Sequence, residues 1–304
     1  MTVGYVLGGG GVRGAVEVGM LRALFDAHVT PDLIVGTSIG ALNGAAVAMN
    51  PSPSVIATLE RAWNSPIAGE IYGEWWPRQL RRLAKSRTHL NNPAPLRTMI
   101  VDLVGEGRTF ADTAVPFAVC AASIERAAET WFDEGPMADA ILASASVPAA
   151  LPPTLIDGEH YIDGGVVNSI PLGEAIRRGA TEIYVLQVGR IEEPLSAPEK
   201  PSDVAKVAFE ISRRHRFARD MADVPAGVTV HVLPSGGSQE GDEKLTAFKN
   251  LDTVTKRMET AYEATAAYLA DHLPGHADAA SQAQADDHGL HDPVGNSSLE
   301  GDAR

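Results

Sequence analysis

Residues 32–49 read DLIVGTSIGALNGAAVAM, and this stretch decides the fold. Asp32–Val35 is a short apolar run of the kind that forms a buried strand, and it stops at a glycine. Ile39–Met49 reads as a helix whose small residues, Ala41, Gly44, Ala45 and Ala48, would let it lie close against a sheet. Between them, Gly36-Thr37-Ser38-Ile39-Gly40 matches G-x-S-x-G. At a strand-to-helix junction that pattern is the setting of a nucleophile elbow, a sharp and strained turn that lifts the serine Oγ clear of the sheet. The following helix points its positive end at the same place. Gly36 and Gly40 flank the turn where a Cβ atom would clash.

The preceding residues repeat the alternation. Val3–Leu7 is a short apolar strand, and Arg13–His28 has Val18, Leu21, Leu24 and Phe25 on one helical face. Strand, helix, strand, helix at this spacing implies a parallel sheet with crossovers, an α/β fold. The link between the first strand and helix is LGGGGVRGA, Leu7–Ala15. GGGVRG, Gly9–Gly14, formally fits the dinucleotide fingerprint. That fingerprint also needs an acid at the end of the second strand. Here the second strand ends in glycine and runs into Thr37-Ser38, with Asp32 at its other end. No Gly-Lys-Ser/Thr of a phosphate loop follows either. A merely structural turn is a second reading. A third takes both glycine loops together. Side by side at the carboxyl edge of a parallel sheet, the N–H groups of the glycine loop would face the oxyanion formed when Ser38 attacks an ester. No nucleotide cofactor is expected on this reading.

The chain has 304 residues, 44% hydrophobic and 21% charged, which suits a globular protein with a sizeable core. Its net charge of −14 argues against nucleic-acid binding. Cys120 is the single cysteine, in an apolar strand, and reads as core. No signal peptide and no membrane span is read, so the expectation is a cytoplasmic protein that touches membranes, if at all, from outside. Residues 51–113 look largely helical. Further strands are expected at Val115–Ala122, Thr130–Phe132, Leu155–Asp157, His160–Asp163, Glu182–Val188 and Val228–Leu233, with helices at Ser202–Met221 and Asn250–His272. Residues 274–304 hold six acids against one arginine and almost no large apolar side chain, and read as a disordered acidic tail.

A nucleophilic serine needs a base. A Ser…Asp/Glu…His order fits poorly, because only one strand precedes Ser38. The later histidines (His215 in a basic helix, His231 in a strand, and His272, His276, His288 and His291 near the end) read as surface or packing residues. Asp163 in YIDGGVVNSIP ends a short strand before Gly164-Gly165. An Asp-Gly pair is also ordinary hairpin chemistry, so a plain turn stands as the alternative. GGGVRG, GTSIG and DGG in this order, with ASASVPAALPPTLIDGEHYIDGGVVNSIP leading into the aspartate, resemble the patatin-like phospholipase family over residues 3–190. The resemblance implies a three-layer α/β/α sandwich with a mostly parallel sheet, spanning 1–273: a motif-bearing core over 3–190 and a helical part over 200–273. It implies a Ser–Asp dyad with Ser38 as nucleophile and Asp163 as general base. Gly10 and Gly11 are the implied oxyanion donors with Gly9 beside them, Arg13 takes the basic position of the loop, and Gly164 and Gly165 support the turn of the base. No metal or organic cofactor is implied.

A lipid acyl ester is the substrate class the family suggests. Trp75–Lys85 spaces Trp76, Leu80 and Leu83 along one helical face among four basic residues, so residues 75–87 are read either as a lid or lipid-docking face or as an ordinary surface helix. SRRHRFAR, Ser212–Arg219, is read as a solvated helix face or an anionic-headgroup contact. Arg13 either biases the oxyanion loop with positive charge or holds its shape through a carboxylate. The leading expectation is a serine lipid acyl hydrolase of phospholipase A, lysophospholipase or esterase type. Acyl transfer by the same dyad, and a non-catalytic or nucleotide-binding protein on the same scaffold, are the alternatives.

Overall fold

A computed structural model describes residues 1–71, 89–188, 191, 194–199, 201–237 and 251–273. The proposed docking segment, 75–87, and the acidic tail, 274–304, lie outside the described residues. The strands are β1 (Val3–Leu7), β2 (Leu33–Thr37), β3 (Phe117–Ser123), β4 (Ala128–Phe132), β5 (Thr154–Ile156), β6 (Glu159–Asp163), β7 (Glu182–Leu186) and β8 (Thr229–Val232). They form one sheet in the order β5-β6-β3-β2-β1-β7-β8, with β4 also paired to β3. The five strands β3-β2-β1-β7-β8 are mutually parallel, as crossover connections require. β4, β5 and β6 add antiparallel pairings at one side.

Alternation along the strands builds two cores. Tyr5, Leu7, Ile34, Phe117, Val119, Tyr184 and Leu186 face one side of the sheet, and Val6, Leu33, Val35, Ala118, Ile183 and Val185 face the other. This is the period-2 pattern of a sheet buried on both faces. The first side is covered by α1 (Ala15–Asp26), α2 (Ile39–Met49), α3 (Ser54–Trp63), α5 (Ala94–Val104), α6 (Met137–Ser144) and α10 (Leu251–His272), with α4 (Pro66–Ile71) packed on α5. The second side is covered by α8 (Leu172–Arg177) and α9 (Pro201–Ala222), with α7 (Gly165–Asn168) against α9. The architecture is therefore the expected three-layer sandwich. Ten residues of α2, Ile39–Ala48, are buried, which is why that segment carries no polar stripe.

Two details differ from the sequence reading. The glycine loop does not enter α1 directly: Gly11–Gly14 forms a 3-10 turn first, and α1 begins at Ala15. The reading also assigns no element to 137–144, where α6 stands. Its apolar residues are buried nearly all round, so the eight-residue run lacks the helical stripe that would reveal it.

The decisive topological fact concerns β3. β4 pairs with Val119–Ser123, a span that overlaps both the part of β3 paired to β2 and the part paired to β6. A strand has two edges, so β4 takes one of them and β2 and β6 share the other, end to end. Thr37 at the end of β2 is opposite Cys120, and Asp163 at the end of β6 is opposite the next residue, Ala121. The carboxyl ends of two strands far apart in sequence thus meet head to head.

Candidate active site

Ser38 follows β2 and serves as the N-cap of α2 with φ 56° and ψ −123°. For a residue with a Cβ this conformation costs of order 1–3 kcal/mol and persists only where the surroundings enforce it. They do so here. The Ser38 N–H donates to Ser144 Oγ at 2.7 Å, and Ser144 Oγ in turn donates to the Cys120 carbonyl at 2.5 Å. Thr37 Oγ1 donates to the Asn168 carbonyl at 2.8 Å. A methyl group on Gly40 would lie 2.3 Å from the Leu7 carbonyl oxygen, and one on Gly36 would lie 2.7 Å from that of Gly40. Gly40 therefore lets α2 start hard against the end of β1, and Gly36 lets β2 turn tightly under the start of that helix.

Ser38 Oγ donates to Asp163 Oδ2 at 2.5 Å, and both residues are buried, 3% and 4% exposed. The other carboxylate oxygen of Asp163, Oδ1, accepts the Gly165 N–H at 2.7 Å. The backbone around the aspartate is fixed from the end of α6 and the turn after it: the N–H of Asp163 donates to the Ser146 carbonyl and that of Gly164 to the Ser144 carbonyl. A Cβ on Gly164 would sit 2.2 Å from the Cys120 carbonyl oxygen, so the chain can pass this close to β3 only as glycine. Burial pushes the Asp163 pKa up to about 6, against the lowering effect of the Ser38 and Gly165 hydrogen bonds. A carboxylate near pKa 6 is a far better base than an ordinary aspartate and is still mostly ionised at neutral pH.

The glycine loop is pinned on both sides. The N–H groups of Gly8 and Gly9 are already used, donating to the Leu186 and Ser169 carbonyls at 2.8 Å each. Gly9 is therefore an architectural residue here, not a free donor. Among the described residues no acceptor takes up the N–H of Gly10 or Gly11. Gly10 is held under Val188, and Gly11 has φ +58°. Arg13 N–H donates to the Gly10 carbonyl at 3.3 Å, closing the 3-10 turn. Its side chain is half-buried and makes no ion pair with any described carboxylate, so the structural role considered for it in the sequence finds no carboxylate partner. Gly165, besides bonding Asp163, lies under the ring of Phe209 from α9.

His215 is exposed on α9, His231 in β8 bonds Glu182 at 2.8 Å, and His160 pairs with Glu125 at the surface, so none of these three bonds Ser38 or Asp163. Cys120 is buried within β3, as core. Three contributors escaped the sequence reading: Ser144 and Ser146, which brace the elbow and the aspartate, and the Glu17–Asn43 pair. Asn43 Nδ2 donates both to Glu17 Oε2 at 2.7 Å and to the Gly14 carbonyl at 2.9 Å, tying the exit of the glycine loop to α2. Burial raises the Glu17 pKa well above its usual range, with Asn43 and the Gly8 backbone opposing it. The serines had a signal in ASASVP, two small polar residues in an otherwise apolar run. Glu17 had a weaker one, an acid on the face of α1 that carries Val18 and Leu21.

The sequence model described as patatin-like phospholipase matches residues 5–176. The chain belongs to the patatin-like phospholipase family. This patatin-like chain is 33% identical over 194 residues to the patatin-like phospholipase domain-containing protein ZK370.4 of Caenorhabditis elegans, covering 63% of this chain and 14% of that protein. It is 30% identical over 198 residues to the lysophospholipase nte1 of Aspergillus terreus, covering 63% and 12%. The patatin-like region thus spans only about one seventh of the length of these relatives. Among solved structures, VipD from Legionella pneumophila superimposes with a TM-score of 0.46 at 15% identity, covering 89% of this chain and 67% of that one.

Proposed function

We propose that the protein is a serine hydrolase of lipid acyl esters. The observation that carries this reading is the 2.5 Å bond from Ser38 Oγ, on a strained elbow, to a buried carboxylate. Ser38 Oγ attacks the ester carbonyl carbon and passes its proton to Asp163 Oδ2. Gly10 and Gly11 donate to the oxygen that becomes negative, with the α2 N-terminus and Arg13 adding positive potential. Asp163 returns the proton to the leaving alcohol. Water then attacks the acyl-Ser38 ester by the same proton path, releasing the fatty acid. Gly9, Gly36, Gly40 and Gly164 shape the glycine loop, the elbow and the aspartate turn, and Gly165 also holds Asp163 Oδ1. The name of the Aspergillus relative favours a single-chain phospholipid as the substrate to try first.

The test compares wild type with Ser38→Ala on phospholipid and lysophospholipid vesicles and on a short nitrophenyl ester, alongside fluorophosphonate labelling. Hydrolysis and labelling by the wild type alone support the scheme. A wild type that neither labels nor hydrolyses, or a Ser38→Ala variant as active as wild type, overturns it.

A further inference from the structure

The proton path between Ser38 and Asp163 does not involve Glu17, a carboxyl group in the first turn of α1 that is 0% exposed. Its surroundings fix how it is held. Trp63 Nε1 can only donate, and it donates to Asn43 Oδ1 at 3.0 Å, which sets the orientation of the Asn43 amide. Both hydrogens of Asn43 Nδ2 are then used, one on the Gly14 carbonyl at 2.9 Å and one on Glu17 Oε2 at 2.7 Å. Glu17 Oε1 has no hydrogen-bond partner among the described residues. A Cβ on Gly14 would lie 2.5 Å from Ile39 Cγ1 and 2.7 Å from Trp63 Cζ2, so the exit of the glycine loop is packed as tightly as it is bonded. Ile39 is the residue after Ser38. One network thus joins the exit of the glycine loop, the start of α1, the helix that Ser38 caps, and α3.

No cation compensates a charge at this place. Among the described residues no ion pair includes Glu17, and Arg13, four residues earlier, stands outside ion-pair distance of it. Arg22 is taken up by Glu259 of α10 at 2.7 Å and Glu60 of α3 at 4.0 Å, and lies 3.7 Å over the Tyr262 ring. Arg61 of α3 donates to Thr58 at 3.0 Å. α2 contains no titratable residue, and β1 has only Tyr5, whose hydroxyl donates to the Val29 carbonyl at 2.7 Å. An ionised carboxylate can accept several hydrogen bonds, and a buried one is costly without them or a counter-charge. Here one oxygen has a single side-chain donor and the other is bare. The group is therefore accommodated best as the neutral acid.

We propose that Glu17 works as a neutral carboxylic acid and, through Asn43, is a positioning residue for the glycine loop. The positioning role rests on the hydrolase reading above; the protonation state does not. Gly10 and Gly11 act on a negative charge that develops as the ester is attacked. A second negative charge behind the same loop, beside the Gly8 backbone, opposes that one, and it competes with the Gly14 carbonyl for the amide of Asn43. Ionisation of Glu17 accordingly sets an alkaline limit to activity, on the opposite side of the profile from Asp163.

Glu17→Gln keeps the size and hydrogen-bonding groups of the neutral acid but cannot ionise. The quantity read is kcat/KM of Glu17→Gln divided by that of wild type on a soluble nitrophenyl ester, across neutral and alkaline pH. The ratio should be level near neutrality and climb by up to about tenfold per pH unit once Glu17 of the wild type ionises. Glu17→Met, which removes the acceptor from Asn43, should lower kcat at every pH with KM little changed. Melting temperature reads the proton without catalysis. A carboxyl whose pKa is raised on folding loses native stability as pH climbs from its unfolded value, about 4.3, to its folded one. Glu17→Gln should therefore gain on wild type steadily up to and through neutral pH. Infrared spectra of wild type labelled with carbon-13 glutamate need no variant to fold: exposed and ion-paired glutamates are ionised at neutral pH, so a remaining acid C=O band reports Glu17, and Asp163 is unlabelled. An active wild type without that band, a melting gap that stops widening below neutral pH, or a rate ratio independent of pH overturns the inference. An inactive wild type that keeps the band overturns the hydrolase reading, and the positioning role with it.

Discussion

Asp163 is under two opposed demands. As the proposed base it must be ionised to take a proton, and it is buried where ionisation is disfavoured, so its pKa rises to about 6. The acid limb of the pH–rate profile should follow: kcat/KM on a soluble ester should fall about tenfold per pH unit below about 6. The same shift has a stability side. A carboxyl whose pKa is raised on folding binds its proton more tightly in the native state. Native stability is then lost as pH rises from about 4, the unfolded value, to about 6. At neutral pH the ionised Asp163 costs the fold up to roughly 3 kcal/mol. Asp163→Asn should therefore lose hydrolysis while melting higher than wild type at pH 7, with the advantage gone near pH 4. An Asn variant that melts no higher at pH 7 would show that the buried carboxylate is better compensated than its partners suggest. Residue-level legibility followed local constraint. Ser38 is readable because an elbow requires glycines around it, and Asp163 because a tight strand end requires glycines after it. Ser144 carries no such local demand. It braces Ser38 across 106 residues of chain, and no pattern in sequence encodes that distance.

At the scale of elements, the site is a junction of β1, β2, α2 and β6, held apart by almost nothing. Gly40 marks the approach of α2 to β1, where the helix rests on the end of the strand. Gly40→Ala places a methyl group against backbone that cannot rotate away, so α2 must retreat from the glycine loop. Overpacking of this kind costs about 1–3 kcal/mol. The more telling effect is geometric: displacing Ser38 from Gly10 and Gly11 should slow fluorophosphonate labelling by more than the drop in melting temperature would explain. Labelling at the wild-type rate would show that the loop follows the helix. Elements β1, β2, α1 and α2 are legible from periodicity because each is a complete strand–loop–helix unit. The antiparallel strands β5 and β6 are legible mainly as short apolar runs; that β6 pairs back onto β3, with β5 beyond it, is a matter of tertiary contact, which alternation of apolar residues does not report.

At the scale of the molecule, the family model ends before the fold does. It stops at residue 176, and β7 begins at Glu182. β7 pairs with β1 along its whole length and supplies the Leu186 carbonyl that holds Gly8. α10, further on, packs on α1 with Val254, Met258, Ala261 and Leu269 buried, and a Cβ on Gly19 would meet the Met258 carbonyl. A chain cut after Ile176 should consequently be insoluble or unlabelled by fluorophosphonate, although every motif residue is present. A soluble, labelled fragment of that length would show that β1 and the glycine loop hold their shape without their neighbour. The three-layer class is legible from the alternation of strands and helices. The dependence of the glycine loop on β7 is not, because it rests on backbone hydrogen bonds that leave no mark on side-chain choice.

The shared edge of β3 has one further consequence. Ser38 and Asp163, the proposed nucleophile and base, are set by consecutive rungs, Cys120 for β2 and Ala121 for β6, so the strand acts as a ruler on which one residue of slippage moves the pair apart by about 3.3 Å. The exposed Glu106-Gly107 link lies between the two halves of the site. Divided there, one fragment would carry Ser38 and the other Asp163. Esterase activity would then become a reporter of reassembly, silent until β2 and β3 zip in the correct register.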